Sequence, residues 1–430
     1  MAKQTDINLR STVFYQVFPR QHSKTHDFQG LIQDLDRIRF MGVDVLYLLP
    51  IHPIGEVLRK GKTGSPYSIK DYYQIDPAYG TMDDFHQLIE EARKRKMKVM
   101  MDIVINHTAR DSVLTKEHPN WFYRKPDGSL ANRVGDWSDI TDLDYRILDI
   151  RHYMLDMLAF WAAKVDGFRC DVAPMLPIDF WLEARNRIQH INPNFIWLSE
   201  SVHPGFIRYL RGLGYDCHSD SEMFQAFDIC YDYDIYEAMD DYLQDGSKLS
   251  LWLEAIERQE SIYPKNYVKL RSFENHDQRR LRSKVRDDKH FETMVALSYF
   301  LKGPMFIYAG MEHQVEQTPS LFEKDLIPWN QARSIESLIR KLSDIKHRSI
   351  FTYGHFEIHH KDQVAVLSYT FEQTFLVGLF NLEPTSQINV PLKDGTYTDI
   401  YSNRTHIVKE GRLTLTDTPI WIETEKGNRR

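Results

Sequence analysis

Gly167-Phe168-Arg169-Cys170-Asp171 reads as a buried strand that ends in charge. Residues two apart on a strand project to the same face, so Arg169 and Asp171 lie side by side. A cation that close favours the ionised carboxylate and lowers its pKa by roughly 1–3 units. Asp171 is therefore a candidate nucleophile, although a structural ion pair would use the same two residues. Three other stretches have the same form: Asp102-Ile103-Val104-Ile105-Asn106-His107, Trp197-Leu198-Ser199-Glu200 and Phe273-Glu274-Asn275-His276-Asp277. Each couples an apolar, β-branched or aromatic run to a polar cluster.

Around these four, the first three quarters of the chain alternate strand-like and helix-like runs. Strands are predicted near 13–18, 43–49, 98–105, 167–171, 195–199, 226–231, 267–273 and 304–309, with helical patterns such as 85–97, 150–164 and 180–190 between them. The sixth strand is the least regular, because Tyr215 to Asp234 is acidic and aperiodic. Eight strands with following helices count out an α/β fold, the (β/α)8 TIM barrel. In that fold catalytic groups stand at the C-terminal ends of the strands, where all four polar clusters fall.

Two connections exceed the usual 2–6 residues of a βα loop: 51–82 and roughly 107–147. Loops of that length with buried-type aromatics, such as Trp121-Phe122-Tyr123, usually serve the site. After Lys346-His347, alternating runs such as Val364–Tyr369 and Thr374–Phe380 are broken by turn signals including Asp394-Gly395. They predict an antiparallel β-sandwich of about eighty residues.

Lys plus Arg number 54 against 61 Asp plus Glu, a formal net charge of -7. With no basic block, nucleic acid and anionic membranes are excluded as partners. No run approaches the roughly 18 apolar residues of a membrane span. Met1-Ala2-Lys3-Gln4-Thr5-Asp6 has no apolar leader core, and Cys170, Cys217 and Cys230 are too scattered for a disulfide framework or zinc site. A cytoplasmic location with buried free thiols is expected.

The clusters, in the order Asp/Asn/His, Arg/Asp, Glu, His/Asp, resemble the α-amylase superfamily of glycoside hydrolases and transglycosidases, over essentially the whole chain. The resemblance implies a barrel of residues 1–106 and 148–349, a small domain B at 107–147 inserted after strand 3, and a C-terminal domain at 350–430. Its chemistry is retention through two carboxyl groups. Asp171 is implied as nucleophile, Glu200 as acid/base and Asp277 as the third carboxylate, which grips sugar hydroxyls. Glu200 follows Ile196, Trp197 and Leu198, with no cation within two residues, so partial burial is expected to raise its pKa as an acid near neutrality requires. Arg169 is implied to orient the nucleophile, His107 and His276 to hydrogen-bond the sugar, and Tyr67 to stack under it.

No cofactor is needed for this chemistry. Asn106 and Asp142 match two ligands of a structural calcium, an oxygen set suited to a hard cation. Against that, Ala173-Pro174-Met175 stands where calcium-binding members carry Lys-His. Met175 can lend its carbonyl, yet a further ligand is missing. Asn106 would otherwise brace the loop and Asp142 cap a turn. Val172, next to the nucleophile, and His203, in Glu200-Ser201-Val202-His203, are similar to members acting on α-1,6 or mixed linkages. His203 would equally cap the following helix. The expected substrate is a maltodextrin, malto-oligosaccharide or other α-glucan with α-1,4 or α-1,6 bonds. A transglycosidase with the same residues and a non-enzymatic binding member are the alternatives, and the oligomeric state is left open.

Overall fold

The computed structural model describes residues 5–244, 246–360, 362–383 and 385–430. Met1–Gln4, part of the stretch read as lacking a leader core, lie outside the described residues. Eight parallel strands form one sheet: β1 Val13–Val17, β2 Val45–Leu48, β3 Lys98–Ile103, β4 Gly167–Cys170, β5 Ile196–Ser199, β6 Ile229–Tyr231, β7 Lys269–Leu270 and β8 Met305–Tyr308. Their order, β8-β1-β2-β3-β4-β5-β6-β7, is that of a TIM barrel. The ring closes at one point, where Arg271 N–H donates to Pro304 O (2.9 Å) and Phe306 N–H to Arg271 O (3.2 Å). β7 is two residues long where 267–273 was expected, and the next residue, Arg271, carries the closing bridge. The strands of β1, β2, β4 and β5 are buried at every position, as parallel strands covered on one side by helices and on the other by the barrel interior must be.

The helices Met82–Lys94, Leu148–Ala162 and Ile178–Gln189 fall on the predicted periodic runs, each starting two or three residues early. For the first, Thr81 and Asp84 close a reciprocal capping box that fixes the start.

Between β3 and β4 the chain makes a two-stranded hairpin, His107–Ala109 against Ile140–Asp142, which places His107 opposite Asp142. After β8, two four-stranded antiparallel sheets follow: His355–His360, Val364–Phe371, Thr374–Asn381 and Ile420–Glu425 in one, and Gln387–Asn389, Arg412–Thr414, Thr405–Lys409 and Gly395–Thr398 in the other. Strand Val364–Phe371 is buried on both faces. Val364 and Val366 join the interior between the two sheets, whereas Ala365, Leu367 and Tyr369 pack into the core shared with the barrel. Period-two alternation thus sorts one apolar run between two cores. Among the described residues, no helix is long and apolar enough to cross a membrane.

Candidate active site

Asp171 and Glu200 are each the first residue past their strand, yet both are still tied to the neighbouring strand. Asp171 N–H donates to Ile103 O (2.9 Å) and Glu200 N–H to Cys170 O (3.0 Å). The ladder therefore fixes where both carboxylates emerge. They line a cavity of about 300 Å³ together with Tyr67, His107, Val172 and Asp277.

Beneath the cavity lies the fully buried guanidinium of Arg169. Its Nη1 donates to Asp171 Oδ1 (2.8 Å) and Asp102 Oδ1 (2.8 Å), and Nη2 stands 2.6 Å from Glu200 Oε1. Glu200, which has no cation near it in sequence, thus shares its cation with the nucleophile candidate across the β4–β5 step. Its other oxygen, Oε2, accepts from Val172 N–H (2.7 Å). Val172 adopts φ 36°, ψ 40°, a left-handed conformation that a β-branched residue rarely takes. That strain aims the amide at Glu200, a pattern common where local geometry serves a site.

Burial overrides the arginine in setting the Asp171 pKa. Desolvation pushes Asp171 up to about 7 against the pull of Arg169, so the expected lowering is overturned. Glu200 goes higher still, to about 8, through burial and the charges of Asp171 and Asp277, with Arg169 opposing. Asp277 shifts the other way: although burial disfavours its charge, the neighbouring His276 and Arg169 hold it below the usual range. Its carboxylate is 3.0 Å from His276 Nε2 and 45% exposed at the cavity mouth. Two carboxyls are thus poised around neutral pH in a predominantly buried pocket, beside one that stays ionised. This is the separation of roles that acid and nucleophile chemistry needs.

The tyrosine and histidines form the rest of the floor. Tyr67 stacks on His276, with ring centroids 5.4 Å apart and planes 12° apart, and its hydroxyl donates to Asp102 Oδ2 (3.0 Å). His276 Nδ1 is 2.9 Å from Gln16 Nε2 on β1. His107 Nε2 lies 3.9 Å from Asp171 Oδ2, and burial lowers its pKa to about 4, so it is neutral at pH 7. His203 stands apart from this group and does not line the cavity. Its ring stacks on Tyr233 (4.7 Å, 7°), and it occupies the position before helix Pro204–Gly212 without a side-chain cap bond. The structure thus shows no capping by His203 of the helix that follows it.

Each residue matched to calcium already holds a cation through one oxygen, while Asp142 Oδ1 is buried with no hydrogen-bond partner among the described residues. Arg133, from the segment between β3 and β4, donates through N and Nε to Asp142 Oδ2 (2.8 and 2.9 Å) and through Nη1 to Met175 O (3.2 Å). Its Nη2 also donates to Asn106 Oδ1. All three oxygens expected to hold the ion instead hold one guanidinium, a cation standing where the ion would be. The donor set does not fit calcium. Among the described residues, no group of three or more His, Cys, Asp or Glu side chains is disposed to bind a metal.

Asp102, Val172, Gln16 and Arg133 were not singled out for these contacts from sequence. Asp102 carried a usable signal, a carboxylate inside the apolar run Val99–Ile105, and it pairs in register with Arg169. The Val172 amide carried none, because any residue has one.

A parallel barrel whose strand ends gather three carboxylates, an arginine and stacked rings has the anatomy of a glycosidase. The description "Alpha amylase, catalytic domain" matches residues 13–353, and "Bacterial Alpha amylase C-terminal domain" matches residues 356–422. The chain belongs to the alpha-amylase family. It is 40% identical to the crystal structure of an alpha-amylase from Lactobacillus plantarum, covering 97% of this chain and 100% of that one, with a TM-score of 0.94. A noncanonic maltogenic alpha-amylase, AmyB from Thermotoga neapolitana, is 32% identical, covering 97% of this chain and 99% of that one, with a TM-score of 0.87. Alpha-amylase MalA of Haloarcula japonica is 27% identical over 349 residues, 78% of this chain. The present chain spans 48% of that relative's length.

Proposed function

We propose that this protein is a retaining glycosidase that hydrolyses α-glucosidic bonds in maltodextrins and malto-oligosaccharides. The observation that carries the reading is the shared guanidinium: Arg169 touches both Asp171 and Glu200 at the ends of adjacent strands. Asp171 attacks the anomeric carbon while Glu200 gives its proton to the glycosidic oxygen, so the leaving sugar departs as an alcohol. Glu200, now a carboxylate, takes a proton from water, whose oxygen attacks the same carbon and frees Asp171. The higher pKa of Glu200 supports its starting as the proton donor. Asp277 and His276 grip hydroxyls of the reacting sugar, Tyr67 lies under its ring, and His107 donates from a neutral imidazole.

The chemistry needs no cofactor. The reading divides the chain into a barrel at 1–106 and 148–349, a small domain B at 107–147 and a C-terminal domain at 350–430. Cys170, Cys217 and Cys230 are buried and unpaired, which supports a reducing compartment such as the cytoplasm.

The test is a product time course on maltoheptaose. Asp171→Asn and Glu200→Gln are each expected to lose on the order of 10²–10⁴-fold in turnover while remaining folded. Proton NMR of early product is expected to show the α-anomer first. Wild-type rates in Glu200→Gln, or the β-anomer first, would overturn the assignment. Products longer than the starting sugar would make the enzyme a transglycosidase.

A further inference from the structure

We infer that three loops close one end of the active-site cavity into a wall, so that the enzyme acts on chain ends and not within chains. This inference rests on the glycosidase reading and concerns which part of a glucan fits the site.

The strand order places the wall. Glu200 follows β5, and across the ring from β5 stands β1, flanked by β8 and β2. The loops that follow β8 and β2 are zipped together above β1. Thr63 N–H donates to Phe322 O (3.0 Å), and Lys62 N–H donates to Glu323 Oε1 (3.1 Å). Arg20, buried just past β1, donates through Nη1 to Thr63 Oγ1 (2.9 Å), Gly64 O (3.0 Å) and Leu321 O (3.1 Å). One side chain therefore rivets both loops to the barrel.

The loops also approach too closely to leave a gap. Gly61 has φ 62°, and a Cβ there would lie 2.6 Å from Phe322 O and 2.7 Å from Phe322 Cβ. The third loop joins through Lys60, whose Nζ is 3.1 Å from Asp139 Oδ1 on the segment between β3 and β4. Asp139 is itself nearly buried, and its carbonyl accepts from Ser68 Oγ (3.1 Å). Lys60, Asp139, Leu321 and Phe322 all face the same cavity as Asp171 and Glu200.

The chemistry gives the wall a direction. Glu200 protonates the leaving oxygen, so the reducing-side portion of the substrate departs over β5. The sugars on the other side of the scissile bond must run away from Glu200, toward β1 and the wall. Phe322 and Leu321 offer a terminal sugar an apolar face, and Lys60 and Asp139 offer polar partners for its hydroxyls. A glucan whose chain continues past that point meets closed protein. Only a non-reducing end seats, and the length of the pocket sets a single short product.

The test compares two maltoheptaoses, one free and one carrying a bulky acetal on its non-reducing terminal sugar, as a ratio of initial rates in each variant. In the wild type the blocked sugar is expected to react on the order of 10²-fold slower, since a substrate held off its seat loses the near-attack geometry. Phe322→Ala removes the wall's apolar face and Lys60→Met its tie to Asp139, and each is expected to narrow that ratio by about tenfold, the scale of a pocket contact. Because the ratio is read within one variant, a general loss of activity cancels. Equal rates on the two sugars in the wild type, or an unchanged ratio in both variants, overturn the wall while leaving the glycosidase reading intact. No turnover of either sugar removes the activity and the wall with it.

Discussion

Three carboxylates within one small pocket do not titrate independently, and their coupling can be read out as a pH profile. Under the proposed roles, turnover from free enzyme needs Asp171 ionised as nucleophile and Glu200 protonated as acid. Activity is therefore expected to rise with pH through about 7, as Asp171 loses its proton, and to fall through about 8, as Glu200 does. Asp277 contributes a negative charge that raises both neighbours. In Asp277→Asn that charge is gone, so both limbs of the residual kcat/KM profile are expected to move to lower pH. Limbs that stay in place or move to higher pH would mean that Asp277 does not act on the pair electrostatically. At this scale Arg169 is best understood as a shared partner. It cannot hold Asp171 down, because burial outweighs it, but it keeps two desolvated carboxyls from standing without a cation.

At the scale of elements, Arg133 is the clamp between the β3–β4 segment and the barrel. It joins Asn106 just past β3, Met175 just past β4 and Asp142 on the hairpin strand paired with His107. With Asp142 fully buried, removing the arginine leaves a carboxylate without its cation, which typically costs about 3–5 kcal/mol. Arg133→Ala is expected to lower the thermal midpoint by several degrees, and added calcium to recover part of the loss by taking the three freed oxygens. The wild-type midpoint is expected to be the same with and without a chelator. A chelator-sensitive wild type would restore calcium to this position. The same elements show where sequence reading succeeds and where it stops. The four strand ends were legible because a buried strand leaves a carboxylate or arginine without ordinary explanation. Arg133 was not, because it lies in a polar loop where an arginine needs no reason, and only the fold brings it to Asn106 and Met175. Val172 was flagged for its side chain, whereas its contact with Glu200 comes from its amide and its left-handed turn. The pKa of Asp171 was misjudged because spacing along a strand gives the neighbour but not the depth of burial.

On the scale of the whole molecule, the C-terminal sheets are part of the structure that holds the barrel, not an appendage. Phe300, at the end of the helix before β8, packs edge-on against Phe351, Phe380 and Trp421, and Tyr369 donates its hydroxyl to Phe300 O (3.0 Å). The ring also sits over Gly378 in the middle of strand Thr374–Asn381, where a Cβ would come within 2.7 Å of it. The barrel's closing strand follows directly, so this contact couples the sandwich to the seam between β7 and β8. Barrel and sandwich are therefore expected to unfold in a single transition. Any side chain at Gly378 has to displace an aromatic ring that four others surround, and overpacking of that kind costs about 1–3 kcal/mol. Gly378→Leu is expected to lower the thermal midpoint and to lower activity only in step with the folded fraction, since the site lies at the other ends of the strands. Calorimetry decides between the two pictures. If the variant's scan divides into two peaks while the wild type shows one, the coupling runs through this contact. If the wild type already shows two, the sandwich folds independently of the barrel and the packing around Phe300 is not what holds the seam closed.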